Sequence, residues 1–298
     1  MLLSNNNTHR AGFVNILGRP NVGKSTVMNV MVGEKLSIIT SKAQTTRHRI
    51  HGIVNDDNYQ VVFSDTPGIL APNYKLQEYM LKSAQAALSD GDIFLYITEV
   101  GEVPGKEQYF IERLRKNSAP VILLINKIDL TDQETLEVKV DQWKAILPNA
   151  EIFPVSALRK FNIDNLFKRI LELLPESPPY FPKEMLTDKS ERFIAGEIIR
   201  EKILVYYKQE IPYSVEIEIE SFSEEKKIIR IRAVINVEKE SQKGILIGHK
   251  GASLKRIGKE ARLEMEGFFN KKIFLELFVK VQRDWRSNER KLKDFGYR

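Results

Sequence analysis

The first half of the chain alternates short apolar runs with longer amphipathic stretches. Phe13–Leu17, Gln60–Ser64, Ile93–Thr98, Val121–Ile125 and Ile152–Val155 are brief apolar runs, separated by segments with helical spacing. Such alternation predicts an α/β domain with an open, mostly parallel sheet covered on both faces. One run departs from the rule. Ile50–Val54 reaches the Gln60 run through only Asn55-Asp56-Asp57-Asn58. That connection is too short for a crossover, so the two strands are expected to pair antiparallel, making a six-stranded mixed sheet with the Ile50 strand at its edge.

The pattern then changes. Leu173–Met185 holds four prolines and predicts a stiff, extended linker. Beyond it, Ala195, Ile198, Ile199, Ile203 and Tyr206 share one helical face. Val215, Ile217 and Ile219 alternate with glutamates as a strand, and Ile229, Ile231, Ala233, Ile235 and Val237 form a second. An apolar run leads into Gly248-His249-Lys250-Gly251. A helix follows with Leu254, Ile257, Ala261, Met265 and Phe268 on one face, then a strand through Ile273, Leu275, Leu277, Val279 and Val281. The expected organisation is a domain over residues 10–175, a linker over 176–187, and an α+β domain over 188–298 with a basic tail.

Composition narrows the class. With 298 residues, 42% apolar and 29% charged, the chain suits about two globular domains. It has no cysteine, which excludes disulfides, thiol catalysis and cysteine-held zinc. Neither a signal peptide nor a run long enough to span a membrane is present in the sequence, so a soluble cytoplasmic protein is expected. The net charge of +6 is uneven: Gln242–Arg298 carries 15 Lys and Arg against 7 Asp and Glu, leaving the rest slightly acidic. That excess on one domain is the footprint of nucleic-acid binding, or of a solvated basic face.

Candidate chemistry sits at the strand ends. Gly18–Ser25 reads GRPNVGKS between a strand and a helix, the spacing of a loop whose backbone N–H groups (Asn21, Val22, Gly23, through Thr26) surround phosphates at a helix N-terminus. Lys24 would reach the β- and γ-phosphates and Ser25 would hold magnesium. Asp65-Thr66-Pro67-Gly68 follows the third strand, offering a carboxylate for magnesium through water and a glycine N–H for the γ-phosphate. Asn126-Lys127-Ile128-Asp129 and Ser156-Ala157-Leu158 follow the fifth and sixth. These last two select the base. The Asp129 carboxylate accepts from N1 and N2 of guanine, and the Ala157 N–H donates to O6. Adenine would leave several of these groups unpaired, at about 1–3 kcal/mol each. Asn126 would tie its loop to the phosphate loop, and the Lys127 stem would pack along the base.

Motifs in this order over residues 10–175 resemble the Ras-like GTPases of translation-factor type. The resemblance places a switch in Ser37–Arg49, where Thr46 would close over magnesium and the γ-phosphate, with Thr45 as the alternative. Lys24, Thr46 and Gly68 would be the catalytic set, and GTP and GDP the ligands. Ras-like proteins that orient water with glutamine carry it directly after the glycine of DxxG; here Ile69 stands there. Intrinsic hydrolysis is therefore expected to be slow, on the order of 10⁻⁴ to 10⁻³ s⁻¹. Asn21 resembles the asparagine that coordinates potassium in some GTPases; a cap of the loop explains it equally well.

Gly248–Gly251, with helix and strands before it and helix and strand after, resembles the RNA clamp of a type II KH domain. Two glycines let a single strand lie against the backbone. Gly248, His249, Lys250, Gly251, Lys255, Arg256 and Lys259 would contact RNA, with Arg262 beside them. Together the two domains resemble the bacterial Era family along essentially the whole chain. That resemblance implies a monomeric GTP switch that binds 16S rRNA near its 3′ end, acts in 30S ribosomal subunit assembly, and associates peripherally with the inner face of the cell membrane. Two other readings share these motifs: a constitutive RNA-binding protein with a structural nucleotide site, and a GTPase acting at the membrane.

Overall fold

The computed structural model describes residues 8–103 and 107–297. Two compact units divide the chain, and each takes non-contiguous segments. Among the described residues, the first holds 8–37, 46–71, 80–103 and 107–188; the second holds 38–45, 72–79 and 189–297.

The first unit is built on six strands: β1 (Arg10–Gly18), β2 (Ile50–Asn55), β3 (Tyr59–Asp65), β4 (Ile93–Glu99), β5 (Val121–Asn126) and β6 (Ala150–Pro154). Their order is β2-β3-β1-β4-β5-β6. Only β2 runs antiparallel, against β3, which makes it an edge as the short connection requires. Strands β4 and β5 are buried almost throughout, because helices cover both faces. On one face Ala84 and Ala87, at the end of α2 (Lys75–Ala86) and just beyond it, pack with Phe110, Ile111 and Leu114 of α3 (Gln108–Arg115). Trp143 of α4 (Gln133–Ile146) completes that layer. On the other, α1 (Lys24–Val32) lies on β1–β3, and Phe167 of α5 (Ile163–Leu173) meets Tyr59 and Phe63 of β3.

The proline-rich segment is extended, and it is fastened to this unit. The Ile53 N–H donates to the Leu186 carbonyl at 2.8 Å, and the Ala11 N–H to the Pro175 carbonyl at 3.2 Å. The buried Gln60 side chain accepts from the N–H groups of Tyr180 and Phe181 and donates to the Phe181 carbonyl. Prolines cannot supply those donors, so the latch grips the two non-proline residues among them.

The second unit has α6 (Glu191–Tyr206), α7 (Ile211–Ser214), β7 (Glu216–Glu224), β8 (Ile228–Val237), α8 (Glu240–Ile247), α9 (Ala252–Phe269), β9 (Lys272–Val281) and α10 (Glu289–Asp294). β7 and β8 pair antiparallel, and β8 and β9 parallel. A parallel neighbour needs a crossover, and α8 with α9 provides it. The predicted apolar run before Gly248 is in fact the last turn of α8, whose start is capped by Gln242 Oε1, which accepts from the Glu238 and Lys239 N–H groups, both at 3.0 Å. The core joins Ile199 and Ile203 of α6 to Ile231 and Ile235 of β8 and Ile257, Ala261 and Met265 of α9. Trp285 and Tyr297 of the basic tail are buried as well: the Trp285 indole donates to the Ser214 carbonyl, and the Tyr297 hydroxyl to Glu216. That last contact buries a glutamate the strand pattern would leave outside. No helix among the described residues is long and apolar enough to cross a membrane.

Candidate functional site

The loop after β1 is shaped by its glycines. Gly18 has φ 146° and Gly23 φ 103°. A Cβ on Gly18 would fall 2.2 Å from the Ile97 carbonyl oxygen, and one on Gly23 2.2 Å from Asn126 Nδ2. Both positions are left-handed and crowded, so glycine alone fits. Asn21 also adopts a left-handed conformation, φ 67°. Lys24 lies buried beneath the loop and donates to the Gly18 and Arg19 carbonyls at 3.1 and 2.8 Å. Burial lowers its pKa to about 8, against the pull of Asp65 and Glu102. Arg19 is held outside the loop by Glu102 at 3.3 Å and Glu107 at 3.0 Å.

Three oxygen-bearing residues from separate segments converge beside Lys24. Asp65 Oδ2 accepts from Ser25 Oγ at 2.7 Å and from Thr46 Oγ1 at 3.1 Å, and the two hydroxyls are 3.0 Å apart. Asp65 Oδ1 is buried without a partner. Burial raises the carboxyl above its ordinary pKa, outweighing Lys24 and the hydroxyls. An ion-sized cluster of hard oxygens with one unpaired carboxylate oxygen fits magnesium. Nearby, Gly68 packs so closely on Pro20 that a Cβ would lie 2.8 Å from its backbone, and the Ile69 N–H donates to the Gly18 carbonyl. The Ile69 side chain is buried in the core, so it offers nothing to orient water.

The base loops are wired to the phosphate loop through one side chain. Asn126 Nδ2 donates to the Val22 carbonyl at 2.8 Å, and its Oδ1 accepts the Ala157 N–H at 3.0 Å. Ser156 Oγ donates to Asp129 Oδ1 at 2.5 Å. The Ala157 N–H expected to face a base is thus held by Asn126 here. Asp129 keeps its second oxygen for a ligand. Lys127 has φ 64° and pairs with Glu99, which fixes its stem at the rim, while Leu158 is exposed.

In the second unit the Gly248–Gly251 loop is left-handed at three residues: Gly248 at φ 69°, Lys250 at 49° and Gly251 at 77°. A Cβ on Gly248 would lie 2.2 Å from Ser253 Oγ. His249 and Lys250 stand exposed at the tip. A groove of about 430 Å³ runs on from Gly251 between α9 and β9, floored by Leu254, Leu275 and Leu277 and rimmed by Lys255, Lys259 and Arg262. Arg256 is not among its lining. Its guanidinium lies 3.9 Å from the centre of the Tyr206 ring and pairs with Glu260 at 3.4 Å, so Arg262 takes the place expected for Arg256.

A model of the 50S ribosome-binding GTPase family matches residues 13–127, and a KH domain model matches 210–286. The GTPase Era of Syntrophus aciditrophicus is 49% identical over 291 residues, covering 97% of this chain and 95% of that protein. The GTPase Era of Geobacter metallireducens is 47% identical over 294 residues, covering 98% and 99%. The chain belongs to the Era family of GTPases. It is a GTP hydrolase, with a Ras-like domain followed by a KH domain. A solved Era in complex with MgGDPNP and nucleotides 1506–1542 of 16S ribosomal RNA is 39% identical, with a TM-score of 0.92 over 97% of this chain and 99% of that one.

Within this Era-family chain, some site features escape motif reading. The Arg19 brace depends on Glu102 and Glu107, more than eighty residues away, and no local pattern announces it. Arg262 and the leucine floor have a fainter signal. Gly258 interrupts α9 in mid-helix, where glycine costs up to about 1 kcal/mol against alanine. It faces Leu277, whose Cδ1 would be 3.4 Å from an added Cβ.

Proposed function

We propose that this chain is a GTP-driven switch that binds the 3′ end of small-subunit rRNA and acts in 30S subunit assembly. The observation that carries it is a division between adjacent residues. Thr46 belongs to the phosphate-site unit and bonds Asp65, whereas Thr45 belongs to the unit with the Gly248–Gly251 clamp. There the Arg200 guanidinium donates to the Thr45 carbonyl, Lys42 donates to the Leu204 and Tyr207 carbonyls, and the Tyr74 hydroxyl donates to Gln44 at 2.6 Å. A γ-phosphate that draws in Thr46 and the Gly68 N–H therefore pulls on segments built into the RNA-binding unit.

In this reading Asn21 to Thr26 surround the phosphates, Lys24 neutralises their charge, and Asp129 reads guanine beside Ser156 and Leu158, with the Ala157 N–H turning from Asn126 to the base, while Asn126 and Lys127 hold the base loops. Ser25 and Thr46 would hold magnesium directly and Asp65 through water; bound there, magnesium neutralises charge on the β- and γ-phosphates. Asn21 is our candidate for a potassium contact that compensates for the absent glutamine. Gly248, His249, Lys250, Gly251, Lys255 and Lys259 grip single-stranded RNA, with Arg262 along the groove. We take the domain limits as 10–175, 176–187 and 188–298. We further propose a cytoplasmic monomer with peripheral attachment to the inner face of the membrane.

GTP turnover measured with and without small ribosomal subunits, or RNA of the 16S 3′ end, in potassium and in sodium, tests the proposal. Stimulation by subunits or RNA is expected. Turnover and binding indifferent to both would overturn the rRNA assignment, and equal rates in the two salts would remove potassium.

A further inference from the structure

An apolar cavity of about 740 Å³, away from the phosphate and RNA sites, lies between α4 and the end of β6, the free edge of the first unit's sheet. Its floor is apolar. Leu136 and Val140, one turn apart on α4, line it with Ile128, Pro154 and Phe161, and Phe161 is 59% exposed. Its rim is acidic: Asp132, Glu137 and Asp141 all line it. Among the described lining residues the cation is Lys144, which pairs with Asp141 at 3.2 Å, so it does not offset Asp132 and Glu137.

We infer that this groove is the docking site of a protein segment that presents apolar side chains flanked by lysine or arginine, and that its occupation slows guanine-nucleotide release. The charge excludes the other obvious occupant. A nucleic acid would bring phosphates against three carboxylates, whereas a basic flank complements them, and an apolar floor rewards buried side chains rather than a sugar-phosphate chain. The link to the nucleotide is structural. Ile128 begins the turn Ile128–Leu130 that carries Asp129. Phe161 exchanges backbone hydrogen bonds with Ser156, at 3.3 and 3.0 Å, in the loop that carries Ala157. A segment seated on Ile128 and Phe161 adds contacts to both base-holding loops as they stand, so their opening costs more and the nucleotide leaves more slowly.

The docking half is independent of the rRNA assignment; the release half rests on the guanine reading of Asp129 and Ala157. The probe is the peptide KLLKKLLKKLLK, with ELLEELLEELLE as its counterpart, titrated into the full chain loaded with fluorescent GDP. The expected result is saturable perturbation of the Leu136, Val140 and Ile128 methyl resonances by the lysine peptide alone. GDP release should slow at least about threefold at saturation, and Glu137→Lys with Asp141→Lys should weaken binding at least about tenfold. Reversing the exposed Glu112 on α3 should leave binding unchanged. Absence of groove shifts, equal binding of the glutamate peptide, or equal weakening by Glu112→Lys would overturn the docking site. Groove shifts with unchanged GDP release would overturn the effect on the nucleotide, and groove shifts that grow with protein concentration alone would identify a second copy as the occupant instead.

Discussion

Thr46 Oγ1 donates to Asp65 Oδ2 across 3.1 Å, while Thr45, one peptide bond earlier, is counted with the unit that contains α6. Adjacent residues are thus bonded within different units. The two threonines should therefore separate in mutation. Thr46→Ala removes the hydroxyl at the Ser25–Asp65 cluster and is expected to bring the ratio of RNA affinities with a GTP analogue and with GDP close to one. Thr45→Ala should keep most of that ratio, because Arg200 reads the Thr45 carbonyl rather than its side chain. Equilibrium RNA binding of both variants in both nucleotide states decides it, and the reverse pattern would move the role to Thr45.

Base choice rests on Asp129. Asn in its place presents one donor and one acceptor instead of two acceptors, which leaves guanine N2 facing an N–H but suits the C2 carbonyl of xanthine. Asp129→Asn is expected to weaken GDP binding by at least about 100-fold, on the basis of one mispaired and one lost charge-assisted bond. It should restore binding for xanthosine diphosphate. Competition with the two nucleotides measures it; unchanged GDP affinity would remove Asp129 from the base site.

Lys24 gives the site a pH dependence. In the nucleotide-free chain its pKa is about 8, lowered by burial, so it loses its proton as pH rises through that value. Phosphate stabilises the ammonium and raises the pKa, so nucleotide binding takes up a proton in this window. Affinity for GDP should fall as pH climbs above about 8, and calorimetry at that pH should show uptake that varies with buffer ionisation enthalpy. Binding without proton uptake there would mean that Lys24 is charged throughout.

The tip of the Gly248–Gly251 loop and the basic rim of the α9–β9 groove make a salt prediction. Lys250→Ala with Lys255→Ala should weaken single-stranded RNA binding and reduce the slope of log affinity against log salt by about 1.4, near 0.7 for each lost contact. Arg256→Ala should change that slope little, since its guanidinium is spent on Tyr206 and Glu260. A fluorescence titration over a range of salt distinguishes the two.

Much of this was legible in the residues because the decisive features are local. A four-residue connection forces β2 to the edge, and each nucleotide motif sits within a few residues of a strand end. What stayed hidden depends on partners far along the chain. Arg256 is drawn from the groove by Tyr206, fifty residues earlier, and Glu216 is buried by Tyr297. The apolar run before Gly248 announces no element by itself; it ends α8, whose start is set by Gln242 accepting from the Glu238 and Lys239 N–H groups. The Ala157 N–H is held by Asn126 through a contact no spacing announces. The division of Thr45 from Thr46 was least legible of all, since it needs Arg200 to be brought to the carbonyl of a residue in the other half of the sequence.

The central claim, that the phosphate site and the RNA clamp are coupled, is tested most directly by the affinity of the intact chain for RNA of the 16S 3′ end, measured with a non-hydrolysable GTP analogue and with GDP. Coupling predicts tighter RNA binding with the analogue than with GDP, on the order of 5- to 150-fold, and an equal gain in the preference for analogue over GDP when RNA is bound. Equal RNA affinity in the two states would contradict the account, leaving a clamp and a GTPase that share a chain without exchanging free energy.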